Sequence, residues 1–301
     1  GPRPARPVLP RSPAARGADA GEDGRTGATA LTDGRRRGLV VHPALGIGHR
    51  SIPAAVPASV DPGERHGFGV DTPDDPDRFE VLVTARGHQV VVFVHTSGNV
   101  LPERSQRRAL EGHLANGGGF FGIHAASCMG DVPTDWPWYR DLVGASFKGH
   151  TIARLYADDP VVQRPRITYG GPFADAPPDA DRWDDAIAMW SCEPAVVHVE
   201  DHECPAIDGI ADGDVLVDEW YGFHDNPRPR VNVVATVDES TYEPHLGEMG
   251  EDHPIVWWRE FGGGRSVYNS MGHSAAMWRN EQFLSTIVGG IDLAAGVEPA
   301  R

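Results

Sequence analysis

His124 closes the run Gly117-Gly118-Gly119-Phe120-Phe121-Gly122-Ile123-His124-Ala125-Ala126-Ser127. Three glycines lead into a short apolar strand, the strand ends on the histidine, and small residues follow. This is the layout of a strand–elbow–helix turn, on which an α/β protein presents a reactive side chain at the carboxyl end of a central strand. Serine or cysteine nucleophiles normally occupy such elbows. An imidazole there can act as a general base, a general acid or a metal ligand, and it does not support a stable thioester. Cys128 lies past the elbow, so a glutaminase is not expected. The bland alternative is a histidine hydrogen-bonded inside a buried turn; the strand-end position favours function.

Other residues can join it. His49 follows Gly48 just after the first strand, and loops at strand carboxyl ends build the ligand crevice of an open α/β sheet. Beside it, Arg50 offers a planar fork to a sugar hydroxyl or carboxylate. His273, in Gly272-His273-Ser274, follows another strand, and His150 follows Gly149. Asp218-Glu219-Trp220-Tyr221 sets an acid pair beside an aromatic pair. In an extended segment Glu219 and Tyr221 point the same way, a carboxylate for hydroxyls and a ring for a sugar face. Trp220 reads as a core contact. Trp136, Trp138 and Tyr139 read first as a structural corner near the site mouth, with a wall of a sugar-binding cleft as the sharper alternative for Trp138.

The expectation is that His49, His124, Glu219 and His273 carry catalysis, and that Arg50, Trp138, His150 and Tyr221 bind substrate. His49, His124, His150, Glu219 and His273 could also assemble a zinc or other divalent site. No tight ligand spacing joins any two of these five, so a metal-free acid–base site that requires no cofactor ranks first.

The elements that must position these groups are partly visible. Gly38–His42 and Gln89–His95 read as strands, the second a buried run suited to a parallel sheet. A helix is expected over 103–115, ended by the glycine run, and strand 120–123 leads to His124. Further strands are expected at 195–200, 231–236, 254–260 and 264–269, and a last helix over 280–295. Strand–helix–strand order predicts right-handed crossovers and helices on both faces. The fold class is one three-layer α/β domain with a mainly parallel sheet over 38–301. Residues 153–194 break the pattern: 170–185 is acidic, proline-rich and aperiodic, as expected of an insertion or long loop.

Composition excludes several classes. The chain has 301 residues and a formal net charge of −16, which argues against nonspecific nucleic-acid binding. Residues 1–37 hold eight arginines against four acids and almost no large apolar side chains, so a disordered basic tail is expected there. No apolar run approaches a membrane span, and the arginine-bearing start lacks the apolar stretch of a secretory signal. Cys128, Cys192 and Cys204 form no C-x-x-C pair, which fits a reducing, cytoplasmic setting. A homo-oligomer stays open.

Motifs along the chain resemble the ThuA-like (trehalose-utilisation) family, a branch of the class I glutamine amidotransferase-like superfamily. They include Gly48-His49-Arg50-Ser51-Ile52-Pro53, Gly117–Ser127, Asp135-Trp136-Pro137-Trp138-Tyr139 and Gly149-His150. Asp218-Glu219-Trp220-Tyr221, Asn226-Pro227-Arg228, Val234–Tyr242, His253-Pro254, Gly263-Gly264-Arg265 and Gly272-His273-Ser274 follow in order. The resemblance implies a flavodoxin-like or amidotransferase-like scaffold with His124 at the relatives' cysteine position. It also implies a small-molecule carbohydrate substrate, such as trehalose or its keto-sugar derivatives. The expected reaction is acid–base proton transfer, an isomerisation of or elimination from a keto-sugar. A metal-assisted hydrolase and a non-catalytic sugar-binding or regulatory module are the alternatives. Two departures from the family pattern stand out: the 153–194 stretch, and Cys204 where a histidine is expected.

Overall fold

The computed structural model describes residues 36–44, 48–65, 68–73, 78–85, 87–128, 136–151 and 191–297. Strand and helix alternate first: β1 (Arg36–Val41), α1 (Ile52–Arg65), β2 (Phe68–Asp71), α2 (Phe79–Ala85), β3 (Val90–Val94), α3 (Arg104–Ala115) and β4 (Gly119–Ile123). Then come α4 (Pro137–Val143), β5 (Phe147–His150), β6 (Glu193–Val199), β7 (Val215–Asp218) and β8 (Tyr221–Phe223). The chain closes with β9 (Asn232–Val237), β10 (Pro254–Phe261), β11 (Gly264–Asn269) and α5 (Glu281–Ala294).

Nine strands form one sheet in the order β2-β1-β3-β4-β11-β10-β9-β6-β7. Strands β2, β1, β3, β4 and β11 run parallel to one another. From β11 onward the pairs β11–β10, β10–β9, β9–β6 and β6–β7 are antiparallel, so the α/β sheet is mixed. The reversal is made by Gly262 and Gly263, with φ of 65° and 109° between the paired ends Phe261 and Gly264. A two-residue hairpin that matches strand twist needs φ above zero at both positions, which glycine supplies without a Cβ clash.

Both faces of the sheet are covered. All five residues of β3 are buried, as expected of a strand between two helical layers. Val90, Val92 and Val94 share one cluster with Ala55 of α1 and Phe283, Ile287 and Ile291 of α5. Val91 and Phe93 share the other with Leu82 of α2, Leu110 and Leu114 of α3, and Leu142 of α4. Fully burying each such side chain contributes about 1.5–3 kcal/mol. Among the described residues, no helix is long and apolar enough to cross a membrane.

Two sequence boundaries shift. Arg36 and Arg37 belong to β1 rather than to the tail: Arg37 N–H donates to Gln89 Oε1, and its guanidinium bonds Asp71 at 2.8 Å. Glu193 already opens β6, because it pairs with Asp218 of β7. The rest of the tail (1–35) and most of the insertion (152–190) lie outside the described residues.

Candidate functional site: a histidine–carboxylate cluster at the sheet edge

The parallel strands β1, β3, β4 and β11 all end at one edge, and each is followed by a loop carrying a histidine. His124 leaves β4 with φ of 50°, and His95 leaves β3 with φ of 51°. A non-glycine residue in this left-handed region costs on the order of 1–3 kcal/mol and persists only where its surroundings fix it. Tyr268 O–H donates to the His124 carbonyl at 2.7 Å and lies 2.8 Å from Ser127 Oγ, fixing the elbow. After β11, Gly272 N–H and His273 N–H donate to the two carboxylate oxygens of buried Asp218, at 2.6 and 3.1 Å. That pair of bonds holds the His273 loop against the end of β7. Glu219 follows Asp218 directly.

Three donor atoms meet at one point. His124 Nε2 lies 3.2 Å from Glu219 Oε2, His273 Nδ1 lies 3.0 Å from the same oxygen, and the two nitrogens are 3.3 Å apart. His49 joins them: one ligating atom from each of the four residues lies within 4.8 Å of the others. Its ring centroid is 5.0 Å from that of His124 and 5.3 Å from that of His273. His150 Nδ1 reaches Glu219 Oε1 at 3.4 Å from the rim. The strand register explains His150, since it pairs with Tyr221 across β5 and β8.

Protonation at His124 follows from geometry. Its Nδ1 lies 2.6 Å from the Ser270 carbonyl, which can only accept, so Nδ1 carries a proton. In the neutral ring Nε2 is then a lone pair facing a carboxylate oxygen. Either a second proton or a cation must lie between them. An ion bound at roughly 2.0–2.2 Å by nitrogen and oxygen in tetrahedral geometry places its ligands about 3.3–3.5 Å apart, close to the observed triangle.

The electrostatics divide the cluster. Burial alone would raise the Glu219 carboxyl, but the charges of His150 and His273 and hydrogen bonds from His124 and His273 hold it well below the usual range. Burial would lower His273, yet Glu219, by charge and hydrogen bond, and then Asp218 raise it above the usual histidine value. His49 is pushed the other way, by removal from water and by the charges of His124 and His273. Neighbouring groups whose environments drive their pKa values apart make an acid and a base.

Not every expected residue joins the site. Trp138 lies at the opposite edge, which corrects its reading as a substrate wall. It stacks on Trp136 and packs edge-on to Phe261, which pairs with Gly264 at the start of β11. Tyr221 borders the cluster but is 2% exposed, and its ring lies 4.0 Å from His124 and 4.3 Å from Phe147. It packs against His124 and is closed off from solvent. Glu219 and Tyr221 do not share one strand, because β7 ends at Asp218. Arg50 is exposed beside His49, and Trp220 is fully buried as expected. The three cysteines are free and buried, and burial pushes each thiol up, Cys204 to about 11.

The residue sequence reasoning missed is His95. It was absorbed into the valine-rich strand, although it follows the end of β3 as His124 follows β4. The amino-terminal edge of the sheet carries a groove of about 540 Å³ lined by His88, His113, Arg108 and Asn116, and among the described residues no carboxylate lines it. His88 is committed to Asp71 and the Leu82 carbonyl, and His113 bonds the Gly119 carbonyl. The chemistry gathers at the other edge.

Comparison with known proteins agrees with this architecture. A ThuA-like protein from Bacteroides uniformis ATCC 8492 superposes with a TM-score of 0.59 at 21% identity, over 85% of this chain and 89% of that one. A ThuA-like protein from Parabacteroides merdae ATCC 43184 gives a TM-score of 0.59 at 15% identity, over 89% and 92%. At these identities the likeness speaks for the fold. No curated protein matches. The family model described as ThuA, trehalose utilisation, matches residues 37–294, from β1 to the end of α5, and the chain belongs to the ThuA family.

Proposed function

We propose that this ThuA family member is an enzyme of carbohydrate metabolism that moves a proton on a sugar or keto-sugar derivative beside a bound divalent cation such as zinc. The observation that carries this reading is the triangle of His124 Nε2, Glu219 Oε2 and His273 Nδ1, with sides of 3.0–3.3 Å. Two histidines and one glutamate are a donor set that leaves coordination positions open for substrate. A cation there would withdraw charge from a carbonyl or hydroxyl oxygen and stabilise the anion formed when a neighbouring carbon loses its proton.

The chain's own residues supply the rest. His49, held neutral, takes the proton. His150 is 17% exposed at the rim, with Nδ1–H donating to the Thr151 carbonyl at 2.6 Å, and it is the second candidate to carry a proton. Asp218 fixes the His273 loop through two backbone bonds. Exposed Arg50 is placed to meet a polar substrate.

The same donor set favours a second reading, a hydrolase in which the cation activates water. Reaction in D2O separates the two. Purified protein is incubated with keto-sugar derivatives of trehalose and other disaccharides, and substrate and product are followed by NMR. Deuterium entering the carbon next to the carbonyl is the expected result. Cleavage with no deuterium in recovered substrate or product supports the hydrolase. Binding with neither exchange nor cleavage across the set leaves the non-catalytic sugar-binding module as the better description.

A further inference from the structure

His95 is expensive to keep. It is fully buried, adopts a left-handed backbone, and its Nδ1 has no hydrogen-bond partner among the described residues. A buried polar group left unpaired costs about 1–3 kcal/mol, and the backbone adds a similar amount. An asparagine would suit the backbone better, and an apolar side chain would suit the burial better. Neither could do what the imidazole does.

Its ring lies parallel to that of His49, with centroids 4.6 Å apart and planes 24° apart, and meets His124 edge-on at 5.2 Å. Its Nε2 is fixed from two sides. Trp278 Nε1–H, a group that can only donate, points to it at 3.3 Å while also bonding the Gly272 carbonyl at 2.7 Å. Ser51 Oγ lies 3.2 Å away. Nε2 is thus an acceptor, and the proton of the neutral ring sits on Nδ1. Ser51 is two residues from His49, in the loop that enters α1, and its carbonyl accepts from Ala54 and Ala55. His95 therefore grips the His49 loop twice, by the stack and through Ser51, and through Trp278 it touches the loop that carries His273.

We infer that His95 is a positioning residue that holds the His49 ring in one plane against the cluster. The inference rests on the reading of His49 as part of the working site, but its test does not depend on a metal or a substrate. Outer partners of this kind fix ring orientation, and their loss typically weakens metal binding 10–100-fold.

The test uses full-length protein in EDTA, with His49 ring signals assigned by long-range nitrogen–proton NMR. In the wild type, the His49 ring protons should be shifted upfield by the stacked ring. His95→Asn tolerates the left-handed backbone, yet removes the ring and, being shorter, the Nε2 contact to Ser51. It should return the His49 shifts toward ordinary values. Unshifted His49 protons in the wild type would overturn the inference without any variant. A folded His95→Asn protein with an unchanged His49 signature would overturn it as well. If wild type binds no zinc, the metal reading fails, while the comparison of His49 shifts still decides the role of His95.

Discussion

His124→Asn should reduce turnover by roughly 10²–10⁴-fold, the range expected when a group acting directly in proton transfer or charge stabilisation is removed. Asparagine is chosen because it accepts the left-handed φ of 50° more readily than other side chains. The bonds holding the elbow run to the residue 124 backbone, from Tyr268 at 2.7 Å and Ser127 at 3.3 Å, and survive the change. What disappears is Nε2, one corner of the triangle, together with the ring that covers Tyr221. Circular dichroism and a thermal melt would establish that the variant folds. Near-wild-type turnover on any substrate the native protein converts would remove His124 from the mechanism.

Glu219→Gln should be as damaging to activity, and it also reaches stability. Glu219 is the carboxylate onto which His124, His150 and His273 converge, at 3.2, 3.4 and 3.0 Å. Glutamine keeps the shape and removes the charge. In the metal-free protein this leaves a buried histidine cation without its partner, a loss on the order of 3–5 kcal/mol. The pH dependence has a definite sign. Glu219 titrates below its usual 4.5 in the folded state, so its contribution is complete above that value and fades as pH falls through the folded pKa. His273 titrates above its usual 6.5, so its contribution is complete below 6.5 and fades as pH rises through the folded pKa. Both are present in full between about pH 4.5 and 6.5. Denaturant melts in EDTA should show the widest gap between wild type and variant in that window, narrowing toward alkaline pH. A gap that is flat with pH would mean that the pair does not hold its charges as described.

How much of this was legible depended on how loudly each segment's chemistry speaks. The valine run of β3, the glycines before β4 and the strand-end positions of His49, His124 and His273 follow from burial and topology alone. The Gly262-Gly263 pair between two strands was also readable, and it implies the hairpin that turns half of the sheet antiparallel. Helix α1 was not readable. It carries Pro53, Pro57 and Pro62, and internal prolines argue against a helix unless tertiary packing overrides them. Strands β5 and β8 have only four and three residues, too short for a period to show. His95 hid because the run before it is apolar and absorbs it as the last residue of one continuous strand. For Trp138 and Tyr221 residue type suggests a sugar contact, while only the three-dimensional register shows which edge a ring reaches and how deeply it is buried.

The central claim is that His124, Glu219 and His273, with His49 beside them, hold one divalent cation. Zinc titration of EDTA-stripped protein by isothermal calorimetry, with elemental analysis of the untreated protein, tests it most directly. The expected result is one bound ion per chain, protons released on binding as the metal displaces that of His273, and loss of the site in both His124→Asn and Glu219→Gln. Wild-type protein that binds no zinc, manganese or magnesium, or variants that bind zinc as tightly as wild type, would contradict it.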